Sequence, residues 1–163
     1  MCTFALMMTA NTEIERKFLV NSDAFKTQAT HRYEIEQGYL CKEPGKTIRV
    51  RIRDNQAFLT IKSGKLREGL AKFEWEREIE VADARELMLL CLPGAIRKTR
   101  YVIPAAAYEG APRCWEVDVF HTGKLAGKAL AEMELGNEYE PFDRPDWLGD
   151  EVTGIPAYYN ANM

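Results

Sequence analysis

The sequence predicts an α+β protein built mainly from antiparallel β-strands, and three observations predict it. Apolar and polar residues alternate with a period of two in eight segments, helical character is confined to short stretches, and tight-turn sequences join several neighbouring segments. Such turns are typical of antiparallel hairpins. The predicted strands span residues 12–20, 32–41, 46–53, 56–63, 70–81, 96–103, 113–121 and 129–136.

Two or three short helices are predicted between these strands. The segment "NSDAF" (21–25) opens a short helix with Asn or Ser as its cap. An amphipathic helix covers "ADARELMLLCL" (82–92) and ends at the Pro-Gly pair that follows it. A third helical turn is expected around residues 141–149.

The connections predict hairpins at three places and a loop at a fourth. "EPGK" (43–46), "RDNQ" (53–56) and "SGKLREG" (63–69) have the residues that hairpin turns favour. "PAAAYEGAP" (104–112) is rich in Ala, Gly and Pro, which favours a mobile loop.

Chain length favours one domain. The 163 residues, of which 46% are apolar, suffice for one sizeable core. We expect a flexible N-terminal extension over residues 1–11 and a single domain over 12–163. The opening "MCTFALMM" is apolar, but it has no basic leader and is too short to span a bilayer.

Charge and cysteine content exclude several classes of protein. The 22 basic and 25 acidic residues give a net charge of −3, which provides no general attraction for nucleic acid or an anionic membrane. The four cysteines include no CxxC pair and there are only two histidines, so neither a disulfide framework nor a zinc site is expected. These features favour a cytoplasmic protein with reduced thiols.

Charged residues keep to one face of most predicted strands. In "TEIERKFL" (12–19), Glu13, Glu15 and Lys17 occupy alternate positions. Like charges two residues apart on a strand repel, which indicates that something lies between them. The same parity links Arg49, Arg51 and Arg53; Lys72, Glu74, Glu76 and Glu78; Lys98 and Arg100; Glu116 and Asp118; and Glu132 and Glu134.

Two architectures fit this alternation. In an antiparallel sandwich, the apolar faces form the core and the charged faces meet water. In a closed barrel, the charged faces line a lumen and helices cover the apolar outside. A lumen that carries both bases and carboxylates suits a short polyphosphate held with divalent cations, because bases bind phosphate oxygens and carboxylates bind hard metal ions.

An ordered set of motifs resembles the CYTH domain family, the triphosphate tunnel metalloenzymes. The segment "EIERK" is similar to the family's ExExK signature, and the resemblance runs from about residue 12 to the end of the chain. It implies an eight-stranded tunnel, a substrate that bears a triphosphate, and one or two Mg²⁺ or Mn²⁺ ions. The motifs that follow in order are "QGYL", "RVR", "LTIK", "EWERE", "KTRY", "WEVDVF", "AEMEL", "EVT" and "YYN".

The resemblance also assigns roles to individual residues. Glu13 and Glu15 resemble metal ligands, helped by Glu132 or Glu134, and Lys17 resembles a base beside the scissile end. Tyr39 resembles a proposed proton acceptor. The phosphate-binding set would be Arg49, Arg51, Lys62, Lys98 and Arg100, with Lys72 where the family often has Arg. A second metal, or the orientation of the bases, would fall to Glu74, Glu76, Glu116 and Asp118.

The predicted function is metal-dependent hydrolysis of a triphosphate, with inorganic triphosphate favoured. An adenylyl cyclase of class IV, a thiamine or nucleoside triphosphatase and a non-catalytic polyphosphate-binding module are the alternatives. We expect a small triphosphate as partner, no nucleic acid and no membrane. A homodimer is left open, and so is a lid formed by the tail after Gly154, which contains Tyr158 and Tyr159.

Overall fold

The computed structural model describes residues 14–65 and 72–159. The predicted N-terminal extension therefore lies outside the described residues. Within those ranges the chain forms nine strands, two α-helices and a short 3-10 helix at Pro156–Tyr158. In chain order these are β1 (Ile14–Val20), α1 (Phe25–Gln28), β2 (His31–Glu43), β3 (Lys46–Arg53), β4 (Gln56–Lys65), β5 (Lys72–Ile79), α2 (Val81–Leu89), β6 (Ile96–Tyr108), β7 (Ala111–Phe120), β8 (Ala129–Leu135) and β9 (Leu148–Glu151).

The strands form one antiparallel sheet in the order β5-β4-β3-β2-β6-β7-β8-β1-β9. The predicted fold class, mainly antiparallel β with a few helices, is confirmed. Among the described residues no ladder joins β5 to β9, so the sheet is not closed by hydrogen bonds. The predicted closed barrel is therefore not confirmed.

The eight predicted strands correspond to β1 through β8, and two of the predicted hairpins are seen in full. The turn between β2 and β3 contains Gly45 with a φ of 76°, and the turn between β3 and β4 contains Asp54 with a φ of 52°. Left-handed φ values favour Gly, Asn and Asp, which explains why these residues marked the turns. Of the third predicted turn, residues 66–69 lie outside the described residues.

The mobile loop predicted at 104–112 is wrong. This segment is the end of β6 and the start of β7, paired from Ile103 with Trp115 to Tyr108 with Ala111. The chain reverses at Glu109 and Gly110, whose φ values are 48° and 79°. Two successive positive φ values suit the twist of a two-residue hairpin. The small residues therefore belong to a hairpin, and composition alone did not show it.

The helical turn predicted at 141–149 is also wrong. Residues 141–145 are irregular, and the chain then enters β9, which pairs with β1. Pro141 and Pro145 explain the difference, because proline donates no backbone hydrogen bond and disfavours a helix interior. Trp147, just before the strand, is 1% exposed and packs in the main core.

Most of the core lies on one side of the sheet, which we call the outer face. One apolar cluster contains Phe18, Trp115 and Trp147, with α1 packed against it through Phe25. A second cluster lies under α2 and contains Val50 and Ala84. The apolar faces of the strands are thus covered by helices and loops, as the barrel hypothesis expected.

The start of α1 differs from its prediction, and the segment after α2 packs closely on β2. The N-cap of α1 is Ala24, with no side-chain cap, so the predicted Asn or Ser cap is wrong. Near the end of α2, a side chain at Gly38 would lie 2.8 Å from Sγ of Cys91. Glycine at that position allows the segment after α2 to pack closely on β2.

Membrane-spanning helices are not found in the described part of the chain, where no helix is both long and apolar enough to cross a bilayer. Cys41 and Cys91 are free thiols.

Candidate active site

The charged faces of the strands point to the same side of the sheet, opposite the two apolar clusters named above, and we call it the inner face. A third apolar cluster, which contains Ile96 and Phe120, lies on this inner face beside Lys98. Register shows this, because directly opposed residues on neighbouring strands share a face. Arg100 faces Asp118, Glu116 faces Glu132, and Glu132 faces Lys17. The predicted site residues on this face are Glu15, Lys17, Tyr39, Arg49, Arg51, Lys62, Glu74, Glu76, Lys98, Arg100, Glu116, Asp118, Glu132 and Glu134.

The centre of the inner face is an ion-pair network around Asp118. Lys98 Nζ donates to Asp118 Oδ2 at 2.6 Å. Arg100 contacts the same carboxylate at two points, with Nε 2.7 Å from Oδ1 and Nη2 2.8 Å from Oδ2. Arg100 also bonds Glu116 through Nη1. The paired contacts fix the guanidinium plane in one orientation.

Burial and neighbouring charges shift the pKa values of this network. Burial lowers the pKa of Lys98 to about 8; the attraction of Asp118 opposes this, and the positive charge of Arg100 adds to it. Burial alone would raise the pKa of Asp118, but Arg100 and Lys98 outweigh it and hold that pKa well below its usual range. Burial likewise opposes the charge of Arg100, whose pKa Asp118 and Glu116 nevertheless raise.

Lys17 is buried at the β1–β8 side of the inner face, with only 2% of its surface exposed. Its Nζ lies 2.6 Å from Glu132 and 3.8 Å from Glu15. The same nitrogen donates to the carbonyl of Tyr158 at 3.0 Å and lies 4.2 Å from the centroid of the Tyr159 ring. The C-terminal tail thus folds back onto the lysine that the sequence singled out.

A second group of charges lies on β3, β4 and β5. Arg49 Nη2 donates to Thr60 Oγ1 at 3.3 Å, and Thr60 Oγ1 donates to Glu76 Oε2 at 2.5 Å. Lys62 lies 3.5 Å from Glu74 and is 42% exposed. This part of the site is therefore more open than the Asp118 network.

Arg51 connects the two groups. Burial lowers its pKa, and so do the positive charges of Arg49 and Arg100. No ion pair holds Arg51 within residues 14–65 and 72–159. Its Nε has no hydrogen-bond partner there, and the same is true of Nε in Arg49 and Arg53. The guanidinium groups on β3 therefore have unused donors at the inner face.

Sequence reasoning missed Gln37, whose side chain is fully buried with neither amide atom hydrogen-bonded in the described part of the chain. Its Cα partner on β3 is Arg51. The available signal was position, because Gln37 precedes Tyr39 by two residues on the same strand. A neutral amide carries no charge by which the strand alternation could distinguish it.

Tyr39 is on the inner face opposite Arg49 and is 8% exposed. Lys42 Nζ lies 4.9 Å from the centroid of the Tyr39 ring. The backbone carbonyl of Tyr39 accepts a hydrogen bond from the backbone nitrogen of Leu92 at 2.8 Å. The proton-acceptor role remains a prediction.

Two predicted site residues fall wholly or partly outside the described structure. Glu13 lies outside the described residues. Of Lys72 only the backbone is described, and it pairs with Lys65.

The carboxylates of β1 and β8 have the donor chemistry that a hard divalent cation needs. Glu15 faces Glu134, and Glu132 is the next inner-face residue of β8. Glu132 is engaged by Lys17, and across the described residues no three acidic, imidazole or thiol groups converge as a ready-made metal site. The residues fit Mg²⁺ or Mn²⁺ as oxygen donors, and binding would require Glu132 to exchange its lysine partner for the ion.

Comparison with known proteins identifies the family. The sequence model of the CYTH domain matches residues 11–159. The chain belongs to the CYTH family. A curated inorganic triphosphatase from Acetivibrio thermocellus is 40% identical to this CYTH protein over 152 residues, which is 93% of this chain and 92% of the relative.

Solved structures support the fold of this CYTH protein. The inorganic triphosphatase NE1496 is similar with a TM-score of 0.65 and 31% identity, over 93% of each chain. A putative adenylyl cyclase from Hippeastrum, described as having a dominant triphosphatase activity, has a TM-score of 0.58 at 20% identity, over 77% of this chain and 80% of that one. At that identity the second likeness shows the fold alone.

Proposed function

We propose that this CYTH protein hydrolyses inorganic triphosphate to pyrophosphate and phosphate on its inner face. The relative from Acetivibrio thermocellus and NE1496, both named as inorganic triphosphatases, support the reaction. The observation that carries the proposal is the row of β3 guanidinium groups on the inner face, whose Nε atoms have no hydrogen-bond partner in the described part of the chain. Burial lowers the pKa of Arg51 in this row and of Lys98 on the same face, and the positive charges of neighbouring bases add to this.

An inorganic polyanion would supply oxygen acceptors for these unused donors. Triphosphate carries about four to five negative charges near neutral pH, and charge-assisted hydrogen bonds to phosphate oxygens are among the stronger ones in proteins. Arg49 and Arg51 present such donors from β3, and Lys98 does so from β6, which lies on the other side of β2. Lys98 and Arg100, which Asp118 holds in place before the substrate arrives, stabilise charge that develops in the transition state.

Residues at different positions on the inner face have different roles. Arg100 is held by Asp118 and Glu116, so its guanidinium can orient one end of the substrate without moving. Lys17, by the family resemblance, lies beside the terminal phosphorus and stabilises its oxygens. Tyr39 would accept the proton of the attacking water. Closure of the sheet into a tunnel around the substrate belongs to this proposal.

Divalent metal dependence also belongs to the proposal. Glu15, Glu132 and Glu134 would hold Mg²⁺ or Mn²⁺, with Glu13 as a further ligand and Glu76, Glu116 and Asp118 available for a second ion. A bound ion of this kind neutralises charge on the leaving pyrophosphate and lowers the pKa of water.

Phosphate release tests the reaction. The protein is incubated with inorganic triphosphate, ATP, GTP and thiamine triphosphate, each with Mg²⁺ or Mn²⁺, and released phosphate is measured. We expect inorganic triphosphate to give the highest kcat/KM. Formation of cyclic AMP and pyrophosphate from ATP would replace the proposal with a cyclase function. Metal-dependent binding of triphosphate without phosphate release would indicate a non-catalytic binding module.

Glu15→Gln tests the metal. The variant keeps the shape of the side chain and removes one anionic ligand, so apparent Mg²⁺ affinity and turnover should both fall. Glu151→Gln is the matched control, because Glu151 is paired with Arg16 away from the inner face. An unchanged Mg²⁺ titration in Glu15→Gln would place the metal elsewhere.

A further inference from the structure

Gln37 lies in the middle of β2 and is completely buried. Neither Oε1 nor Nε2 of its amide has a hydrogen-bond partner in the part of the chain that the structure describes. Native proteins rarely leave both ends of a buried amide unsatisfied, because each group loses its water without compensation. A buried glutamine with no partner therefore requires an explanation.

The arginines around Gln37 also have side-chain atoms without a hydrogen-bond partner. Gln37 is the Cα partner of Arg51, and the side chains of such a pair are within reach of each other. Nε of Arg51 has no partner, and neither does Nε of Arg49 or Arg53 on the same face of β3. These atoms form one group of unused hydrogen-bonding positions on the inner face.

The group is rich in donors and poor in acceptors. Guanidinium nitrogens only donate, whereas the glutamine amide supplies one acceptor oxygen and two donor hydrogens. Gln37 Oε1 can satisfy one of the three arginine Nε atoms. The remaining donors need oxygen acceptors, and negatively charged oxygens suit them best.

We propose that Gln37 is a binding residue of the triphosphate subsite, whose Nε2 donates to a phosphoryl oxygen while its Oε1 accepts the Nε hydrogen of Arg51. This inference rests on the proposed function. Since Gln37 has no exposed surface, it engages only when the substrate draws the Arg51 side chain into its binding position. The amide then holds the guanidinium by Nε, which leaves its terminal nitrogens to the phosphate.

The neutrality of the amide is part of this role. A glutamate at position 37 would pair with Arg51 permanently and compete with the substrate. An apolar residue would remove the unsatisfied groups and would favour the folded state without ligand. The glutamine amide is hydrogen-bonded in the substrate-bound state, and its unsatisfied atoms lower the stability of the free protein.

The test uses Gln37→Met and Gln37→Glu in the full chain. Thermal unfolding is measured without ligand, the Kd for inorganic triphosphate is measured by calorimetry in EDTA, and kcat/KM is measured with Mg²⁺. We expect both variants to melt at the same temperature as the wild type or higher. Gln37→Met should weaken triphosphate binding by about 10- to 100-fold, the scale of a hydrogen bond to a charged group. Gln37→Glu should weaken it further.

Gln28→Met is the control for a glutamine with a structural role, because Gln28 accepts a bond from Trp147 Nε1 at 3.1 Å. It should lower the melting temperature and leave the Kd for triphosphate unchanged. If Gln37→Met behaves in this way, Gln37 is a packing residue and the inference is overturned. Failure of both Gln37 variants to fold would overturn it as well.

Failure of the proposed function has a different signature. A wild-type protein that neither binds nor hydrolyses inorganic triphosphate would refute the proposed function and the inference together. If the wild type binds triphosphate and Gln37→Met has the same Kd, only the inference is refuted.

Discussion

The ammonium nitrogen of Lys17 lies 4.2 Å from the centroid of the Tyr159 ring. The hydroxyl of the same tyrosine accepts a bond from the backbone nitrogen of Gly154 at 2.9 Å, which fixes the ring at the base of the tail. A desolvated cation over an aromatic ring is stabilised by about 2 kcal/mol. The tail therefore positions the lysine that the family resemblance places beside the scissile phosphorus.

Tyr159→Leu should lower kcat for triphosphate by about tenfold, because Lys17 loses the ring that holds it. Steady-state kinetics check this. Tyr159→Phe keeps the ring and removes only the bond to Gly154, so it should stay close to the wild type. An increase in kcat/KM for Tyr159→Leu would show instead that the tail obstructs the substrate.

Arg51→Met should raise the melting temperature or leave it unchanged, because it removes a buried cation that lies near Arg49 and Arg100. The same change should lower kcat/KM for triphosphate by about a hundredfold, or about 2.7 kcal/mol. Arg16→Met is the control, since Arg16 pairs with Glu151 outside the inner face. If Arg51→Met has no effect on kcat/KM, the inner face is a solvated surface and the binding-site assignment is wrong.

Much of the fold could be predicted because strand alternation is a local signal. The segments around Arg51 and Asp118 have strict period-two patterns, and β3 and β7 are where those patterns placed strands. Strand β9 could not be predicted, since it has four residues and its place in the sheet depends on pairing with β1.

The candidate site was predictable to the extent that its residues are charged. Alternation alone placed Arg49, Glu116 and Lys98 on the charged faces of their strands. Whether these faces lie on the same side of the sheet depends on the pairing register, which cannot be read from a single segment. Gln37 shows the limit most clearly. Its significance comes from the absence of partners around a buried amide, and only the assembled sheet reveals that.

Lys98 should make stability depend on pH in the alkaline range. Its pKa is about 8 in the folded protein and 10.5 in a free side chain, so between these values the unfolded chain binds more protons. The contribution of Lys98 to the free energy of unfolding therefore rises from about pH 8 to about pH 10.5. This added stability is lost as pH falls from 10.5 through 8. Denaturant unfolding of the wild type and Lys98→Met across this range checks the slope; identical slopes would contradict it.

Lys98 also sets an expected limit on catalysis. In the free enzyme its charge is lost above about pH 8. Because kcat/KM reports the free enzyme, kcat/KM for triphosphate should decline above that pH. Lys98→Met should have a lower kcat/KM without this decline. A wild-type kcat/KM that stays constant up to pH 10 would show that the charge of Lys98 is not needed for binding.

Tyr39→Phe should lower kcat for inorganic triphosphate by about a hundredfold if Tyr39 accepts the proton of the attacking water, because a positioned general base contributes about 10²- to 10⁴-fold. Phenylalanine preserves the packing of the ring, which is 8% exposed, and removes only the hydroxyl. Tyr101→Phe is the control, since Tyr101 packs against Phe25 on the outer face. Full kcat in Tyr39→Phe would make Tyr39 structural and leave Lys17 as the stronger candidate for the proton acceptor.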